Sequence, residues 1–175
     1  TGFGVISCVG NDVPEFWDSL VNGRCGIGML TRFDASEYRT RIAGEVKNFD
    51  VNKYMSPKDA KRVDLFCQYA IAASDEAMEM AGLPKALRGS SVDSNRVGVI
   101  VSSGIGGLQT MADQAEVLIN RGPGRISPFL IPMMISDIAS GNISMRYGAG
   151  GPNMGLVTAC ATGCHSIGES FWAIK

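Results

Sequence analysis

Apolar positions along this chain follow a helical period in some stretches and run unbroken in others. Between residues 56 and 81, Val63, Phe66, Cys67, Ala70, Ile71, Ser74 and Ala77 fall on one stripe at helical spacing. Ser56 stands where a cap belongs, Pro57 where a helix opens and Gly82 where it stops, so the pattern predicts one continuous helix over 56–81. A second helix is predicted over 13–22, with Asp12 as its cap, Pro14 in its first turn and Gly23 as its end. Residues 108–120 read as a third. Residues 128–147 read as mostly helical, interrupted at Pro132 and Gly141, and residues 162–175 as the last helix.

Strand signals are shorter. Residues 96–102 hold Val97, Val99, Ile100 and Val101, a run suited to a strand buried on both faces. Residues 1–7 read as the end of a strand running into a loop, 41–46 as a short strand, and 153–158 as a strand directly before a small-residue segment. Residues 84–95 form a polar connector, and Ser103-Gly-Ile-Gly-Gly107 forms a glycine-rich turn. Strands alternating with helices imply an α/β layered domain with a mostly parallel sheet.

Composition narrows the class. The chain has 175 residues, 16 Lys plus Arg, 17 Asp plus Glu and a net charge of −1, so nothing drives it generally toward nucleic acid or an anionic membrane. Its 45% hydrophobic and 19% charged residues suit one globular domain. The densest apolar run, 128–135, is too short to span a bilayer. The opening Thr-Gly-Phe-Gly lacks the charged and apolar regions of a signal peptide, and the absent initiator Met leads us to expect that residues before Thr1 have been lost. A cytoplasmic setting is expected, or an organelle matrix if a targeting segment has been removed. Five cysteines at scattered spacing argue against a disulfide framework, and a single histidine argues against a zinc site of ordinary type. Most of the thiols are expected to be small buried hydrophobes.

Cys160 is the exception. In Gly155-Leu-Val-Thr-Ala-Cys160-Ala-Thr-Gly-Cys-His-Ser-Ile-Gly168 a β-prone run ends at a cysteine, and a helix-forming segment follows. A thiol at such a junction stands near unpaired backbone N–H groups and the positive end of a helix dipole, which favour the nucleophilic thiolate. The arrangement parallels the nucleophile elbow of acyl-transfer enzymes, and the Cys160 N–H is a candidate oxyanion donor. His165 lies five residues on, well round the helix from Cys160, and suits packing or an interface better than proton transfer. Cys164 is a poor base. The 103–107 turn lacks the spacing and the Lys-Ser/Thr of a phosphate loop and is read as close packing beside a site. Lys58, Lys61 and Arg62 suit an ordinary solvated face or the docking of an anionic partner. Asn142-Ile-Ser144 matches a glycosylation sequon but has no secretory context.

Thr158-Ala-Cys160-Ala-Thr-Gly163 resembles the nucleophile motif of β-ketoacyl-acyl carrier protein synthases, the condensing enzymes of fatty-acid synthesis, and the type II elongating enzymes in particular. The likeness runs through the whole chain: Thr1-Gly-Phe-Gly-Val-Ile-Ser, Val9-Gly10, Phe33-Asp34, Ala43-Gly44, Phe49-Asp50, Gln68-Tyr69, Arg96-Val-Gly98, Ser103-Gly-Ile-Gly-Gly107, Ile126-Ser-Pro-Phe129 and Tyr147-Gly148. Polyketide ketosynthases share much of the pattern.

The resemblance implies a thiolase-like layered fold of two similar halves, with residues 1–175 as the N-terminal half, truncated at both ends. It implies that Cys160 takes an acyl group from acyl carrier protein as a thioester, and that malonyl-acyl carrier protein then loses carbon dioxide and attacks it. No cofactor and no metal are implied. The partners implied are acyl carrier protein in its acyl and malonyl forms and a second copy in a homodimer; neither nucleic acid nor membrane is expected. Ile105 and Ala159 match positions beside the acyl chain, Leu130 a position reaching the partner subunit's pocket, and Lys61 and Arg62 a basic patch that receives the carrier. The family's two catalytic histidines, a nearby lysine and the second oxyanion donor map to no residue here, and His165 matches a non-catalytic position. Ala161 stands where the family often has a hydroxyl residue. The rivals to this reading are a polyketide ketosynthase and an inactive truncated pseudoenzyme or non-catalytic partner of the same fold.

Overall fold

Helix α1 (Val13–Val21) begins where Asp12 accepts the Glu15 N–H at 2.7 Å while the Glu15 carboxylate accepts the Asn11 N–H at 2.8 Å, two otherwise orphaned donors satisfied reciprocally. The computed structural model describes residues 1–175. Strands β1 (Ile27–Met29) and β2 (Ile42–Gly44) follow as an antiparallel pair, with Ile27 opposite Gly44. Residues 1–7 form no strand. The Val5 N–H donates instead to Glu76 at 3.0 Å, and the other oxygen of Glu76 accepts the Val13 N–H at 2.6 Å.

The continuous helix expected over 56–81 is two helices, α2 (Pro57–Ala60) and α3 (Leu65–Met80). Asp64 is the reason. It has extended backbone, φ −68° and ψ 161°, and its side chain caps α3. Aspartate competes with the helix ladder through its own side chain and therefore favours a cap over a helix interior. The apolar stripe survives the break: Cys67 and Ile71 are buried, with Val63, Phe66 and Ala70 packed against them.

Strand β3 (Val99–Ile100) pairs in parallel with β4 (Asn153–Met154), Val99 opposite Asn153. Both strands are shorter than their apolar runs because a strand extends only as far as a neighbouring backbone satisfies its ladder. Between them come α4 (Leu108–Arg121), α5 (Leu130–Met134) and α6 (Ile138–Tyr147). The break in the 128–147 segment falls at residues 135–137, not at Pro132 or Gly141. Pro132 lies in the first turn of α5, where its missing N–H has no intrahelical role, and Gly141 continues α6 through its N–H to Asp137 at 3.2 Å. Helix α7 (Thr162–Ile174) closes the chain.

The core lies where α3 crosses α6: Cys67 and Ile71 meet Ala139, Ile143 and Tyr147, and Leu87 of the connector joins them. The Leu87 N–H donates to the Tyr147 carbonyl at 2.8 Å. Arg146 pairs with Asp75 at 2.6 Å, and the Tyr147 hydroxyl donates to the same carboxylate. Helices α6 and α7 both pack on β3. Ser140 donates to the Val99 carbonyl at 2.6 Å and accepts at its own carbonyl from Asn153 at 3.0 Å, fixing α6 to both strands. The architecture is mixed α/β with one antiparallel and one parallel pair.

Candidate active site

Beyond β4 the chain runs beside the segment that follows β3, held there by the Leu156 N–H donating to Ser102 Oγ at 2.6 Å. It then turns sharply. Ala159 has φ 50°, in the left-handed region. A side chain there costs about 1–3 kcal/mol and persists only where surroundings impose it. Thr158 supplies the clamp. Its N–H donates to Thr162 Oγ1 at 2.9 Å, and its carbonyl accepts the Ala161 N–H at 3.1 Å. Its hydroxyl lies 2.8 Å from His165 Nδ1. The result is a single 3₁₀ turn, Ala159–Ala161, leading into α7.

Cys160 stands at the centre of that turn with its thiol exposed. Its N–H donates to no protein acceptor. A strained bend between strand and helix, an open thiol and an unengaged amide beside it are together the parts of a nucleophile elbow. His165 is turned toward Thr158, so the structure gives it a bracing contact with the bend.

The glycine-rich loop packs directly behind this turn. A Cβ on Gly104 would stand 3.0 Å from the Ala159 carbonyl oxygen, tighter than most real Cβ contacts. A side chain there would have to push the turn back by a few tenths of an ångström. Ser103 Oγ accepts the Gly106 N–H at 2.9 Å, closing the loop on itself, and the Gly107 N–H donates to the Met134 carbonyl of α5 at 2.8 Å. The loop therefore bridges the Cys160 turn and α5.

These contacts place the residues singled out in the sequence. Ala159 is part of the turn, and Ile105, 69% exposed, sits on the loop packed behind it. Leu130, half-buried, opens α5, the helix whose other end holds Gly107. Lys61 and Arg62 are exposed between α2 and α3, and neither is in an ion pair. The Arg62 guanidinium lies over the Phe129 ring at 5.2 Å, a cation–π contact that brings the basic segment against the residue before Leu130. The thiols depart from expectation: only Cys67 is buried, Cys8 is half-buried, and Cys25, Cys160 and Cys164 are exposed. Burial pushes the Cys67 thiol up to about 11. No cluster of three or more His, Cys, Asp or Glu side chains is placed to hold a metal.

Sequence reasoning missed three features here. The left-handed Ala159 has no local signal, since alanine disfavours that backbone. The Thr158–His165 contact follows from the bend. Asp64 carried a signal, being a cap-type residue directly before Leu65-Phe66, but the longer helical pattern obscured it.

This fold and this turn define the thiolase-like class of ketosynthases. Among solved structures, the ishigamide ketosynthase/chain length factor superposes with a TM-score of 0.85 at 30% identity, covering 99% of this chain and 43% of its own. A type II polyketide acyl-carrier protein in complex with its ketosynthase gives 0.80 at 24% identity, covering 99% and 45%. The chain belongs to the β-ketoacyl synthase family: the family model described as Beta-ketoacyl synthase, N-terminal domain, matches residues 1–175. Proteins named 3-oxoacyl-[acyl-carrier-protein] synthase 2 from Synechocystis sp. and from Staphylococcus aureus are each 45% identical over all 175 residues. The chain spans 41% of the length of these relatives.

Proposed function

We propose that the protein to which residues 1–175 belong is an elongating β-ketoacyl-acyl carrier protein synthase of fatty-acid synthesis, and that this chain is its N-terminal half. The carrying observation is the left-handed Ala159, which sets an exposed Cys160 and its free N–H at the head of α7. The Cys160 thiolate attacks the acyl carbonyl of acyl-carrier protein. A carbon–sulfur bond forms to Cys160, the bond to the carrier's sulfur breaks, and that sulfur leaves as thiolate. Negative charge on the carbonyl oxygen during that step falls near the Cys160 N–H. Malonyl-carrier protein then loses carbon dioxide. The electron pair released attacks the Cys160 thioester, giving β-ketoacyl-carrier protein and freeing the cysteine sulfur as thiolate.

In this reading Ile105 and Ala159 line the acyl chain, and Leu130 reaches the pocket of a second subunit in a homodimer. Lys61 and Arg62 receive the acidic carrier protein. The enzyme works in the cytoplasm. Support for the carrier comes from the relatives' printed name and from the solved ketosynthase–carrier complex.

The test is Cys160→Ser in the full-length protein. The change is nearly isosteric on an exposed side chain, so we expect an unchanged unfolding midpoint and no condensation, a hydroxyl being far the weaker nucleophile. Retained β-ketoacyl product formation by the variant would overturn the assignment. The 30% identity to a ketosynthase/chain length factor favours a second reading, a polyketide ketosynthase. The two separate on product: repeated extension of unreduced chains marks the polyketide enzyme. A pseudoenzyme of the same fold would give no product in the unmodified protein.

A further inference from the structure

We propose that Asp64 is a positioning residue for Cys160, its buried carboxylate joining the Lys61–Arg62 segment to the cysteine turn through the glycine-rich loop. The inference rests on the reading of Cys160 as the acyl acceptor.

Asp64 is 8% exposed. One of its oxygens accepts the Phe66 N–H at 3.3 Å and caps α3. The other accepts the Thr110 N–H at 3.1 Å and the Thr110 hydroxyl as well, reaching the first turn of α4 from 46 residues away. A Cβ on Gly107 would stand 2.8 Å from that same oxygen. The end of the loop is thus packed on the carboxylate, and its other end, Gly104, is packed on Ala159. Between them the loop is braced by the bond from the Gly106 N–H to Ser103. Two residues before Asp64, Arg62 lies over Phe129.

Capping alone does not require this residue. One side-chain oxygen caps a helix, and serine, threonine or asparagine does so at an exposed position. Burying a carboxylate is unfavourable unless hydrogen bonds replace its water. Here they do, and the second oxygen is spent wholly on α4. Asparagine would keep the cap but turn its NH₂ toward the Thr110 N–H, donor against donor. The loop would shift where it meets both α4 and Ala159. A displacement of about 1 Å at a reacting group costs on the order of 10²-fold in rate.

The experiment uses Asp64→Asn, Thr110→Val and Thr110→Ser in the full-length protein. Acylation of Cys160 is followed in a single turnover by mass spectrometry, from an acyl-carrier protein and from a small acyl thioester without the carrier. We expect Asp64→Asn to slow acylation from both donors by about 10- to 100-fold, with the carrier KM within about twofold of the parent. Thr110→Val should slow it less and Thr110→Ser should restore it. Unchanged acylation per folded molecule, with only a lower unfolding midpoint, would reduce Asp64 to a helix cap and overturn the proposal. A raised carrier KM with an unchanged acylation rate would overturn it too. If Asp64→Asn does not fold, the Thr110 pair decides: equal rates in Val and Ser variants refute the link. Amide hydrogen exchange is the readout that does not depend on the acyl reaction. Faster exchange at residues 158–162 in the variant supports the coupling, and unchanged exchange there refutes it. A parent protein that no thioester acylates would refute the condensing-enzyme reading while leaving the exchange comparison to judge Asp64.

Discussion

Ala159 and Cys67 show opposite uses of the residue scale. At Ala159 the backbone is held in a strained region so that its neighbour is presented outward. At Cys67 a thiol is withdrawn completely: it is 0% exposed, and its only polar partner is the Asn142 amide, which donates to the sulfur at 3.3 Å. Desolvation disfavours the Cys67 thiolate, raising its pKa from 9.0 to about 11, against a smaller opposing effect of that amide. Iodoacetamide applied to the folded full-length protein should therefore label Cys160 early and Cys67 last, read by peptide mass spectrometry. Labelling of Cys67 as fast as Cys160 would refute this reading of the core. The same shift has a pH consequence. A pKa raised by folding contributes stability that is present below 9.0 and lost as pH climbs through about 11. Two units correspond to roughly 3 kcal/mol. Tyr147, held neutral by burial and by Asp75, adds loss of the same sign above 10.0. Urea midpoints measured across this range should fall with pH, and Cys67→Ala, although less stable at neutral pH, should fall less steeply.

At the scale of elements, the break between α2 and α3 matters most. It places Lys61 and Arg62 in an exposed bend, not along the side of one rod, and it frees Asp64 to reach α4. Both residues are exposed and neither is in an ion pair, so their reversal should leave folding nearly unchanged. Exchanging both for glutamate in the full-length protein should raise the apparent KM for acyl-carrier protein and flatten its salt dependence, because exposed charges act on encounter and are screened. A small acyl thioester without the carrier should be used as before. Equal losses with both substrates would show that the bend serves the fold alone. Arg62 carries the greater risk of a mixed effect through its contact with Phe129, so Lys61→Glu alone is the cleaner variant.

The whole molecule is conspicuously open. Its surface is 11491 Å², and only 17 of its 175 residues are buried. A compact monomer of this mass exposes about 8,200 Å², leaving an excess of about 3,000 Å². Much of that excess is apolar. Helix α7 turns Ile167, Phe171, Trp172 and Ile174 outward, and α1 exposes Trp17, Leu20 and Val21. Soluble monomers rarely show contiguous apolar patches beyond a few hundred Å². Residues 1–175 produced alone should self-associate, measured by light scattering during size-exclusion chromatography, and should bind a hydrophobic dye strongly. A soluble monomer without dye binding would contradict the exposed faces described here. No helix is long and apolar enough to cross a membrane, so the exposed apolar surface is not a membrane-spanning helix.

The sequence by itself determined the order and type of most elements. Local rules suffice for them: a cap and a proline open α1, a glycine follows it, and an apolar stripe marks the buried face of α3. The small-residue motif around Cys160 also marked the candidate site, because only small residues permit such close backbone approach. Strand lengths depended on partners distant in the chain. Residues 96–102 and 153–158 formed a ladder only over the two pairs where each met the other. Asp64 opens α3 as a cap by a local rule, but the fold decided that its second oxygen meets Thr110, 46 residues away. The bend at Ala159 was likewise a tertiary decision. Alanine on its own avoids that backbone, and the contacts of Gly104, Thr158 and Thr162 hold it there.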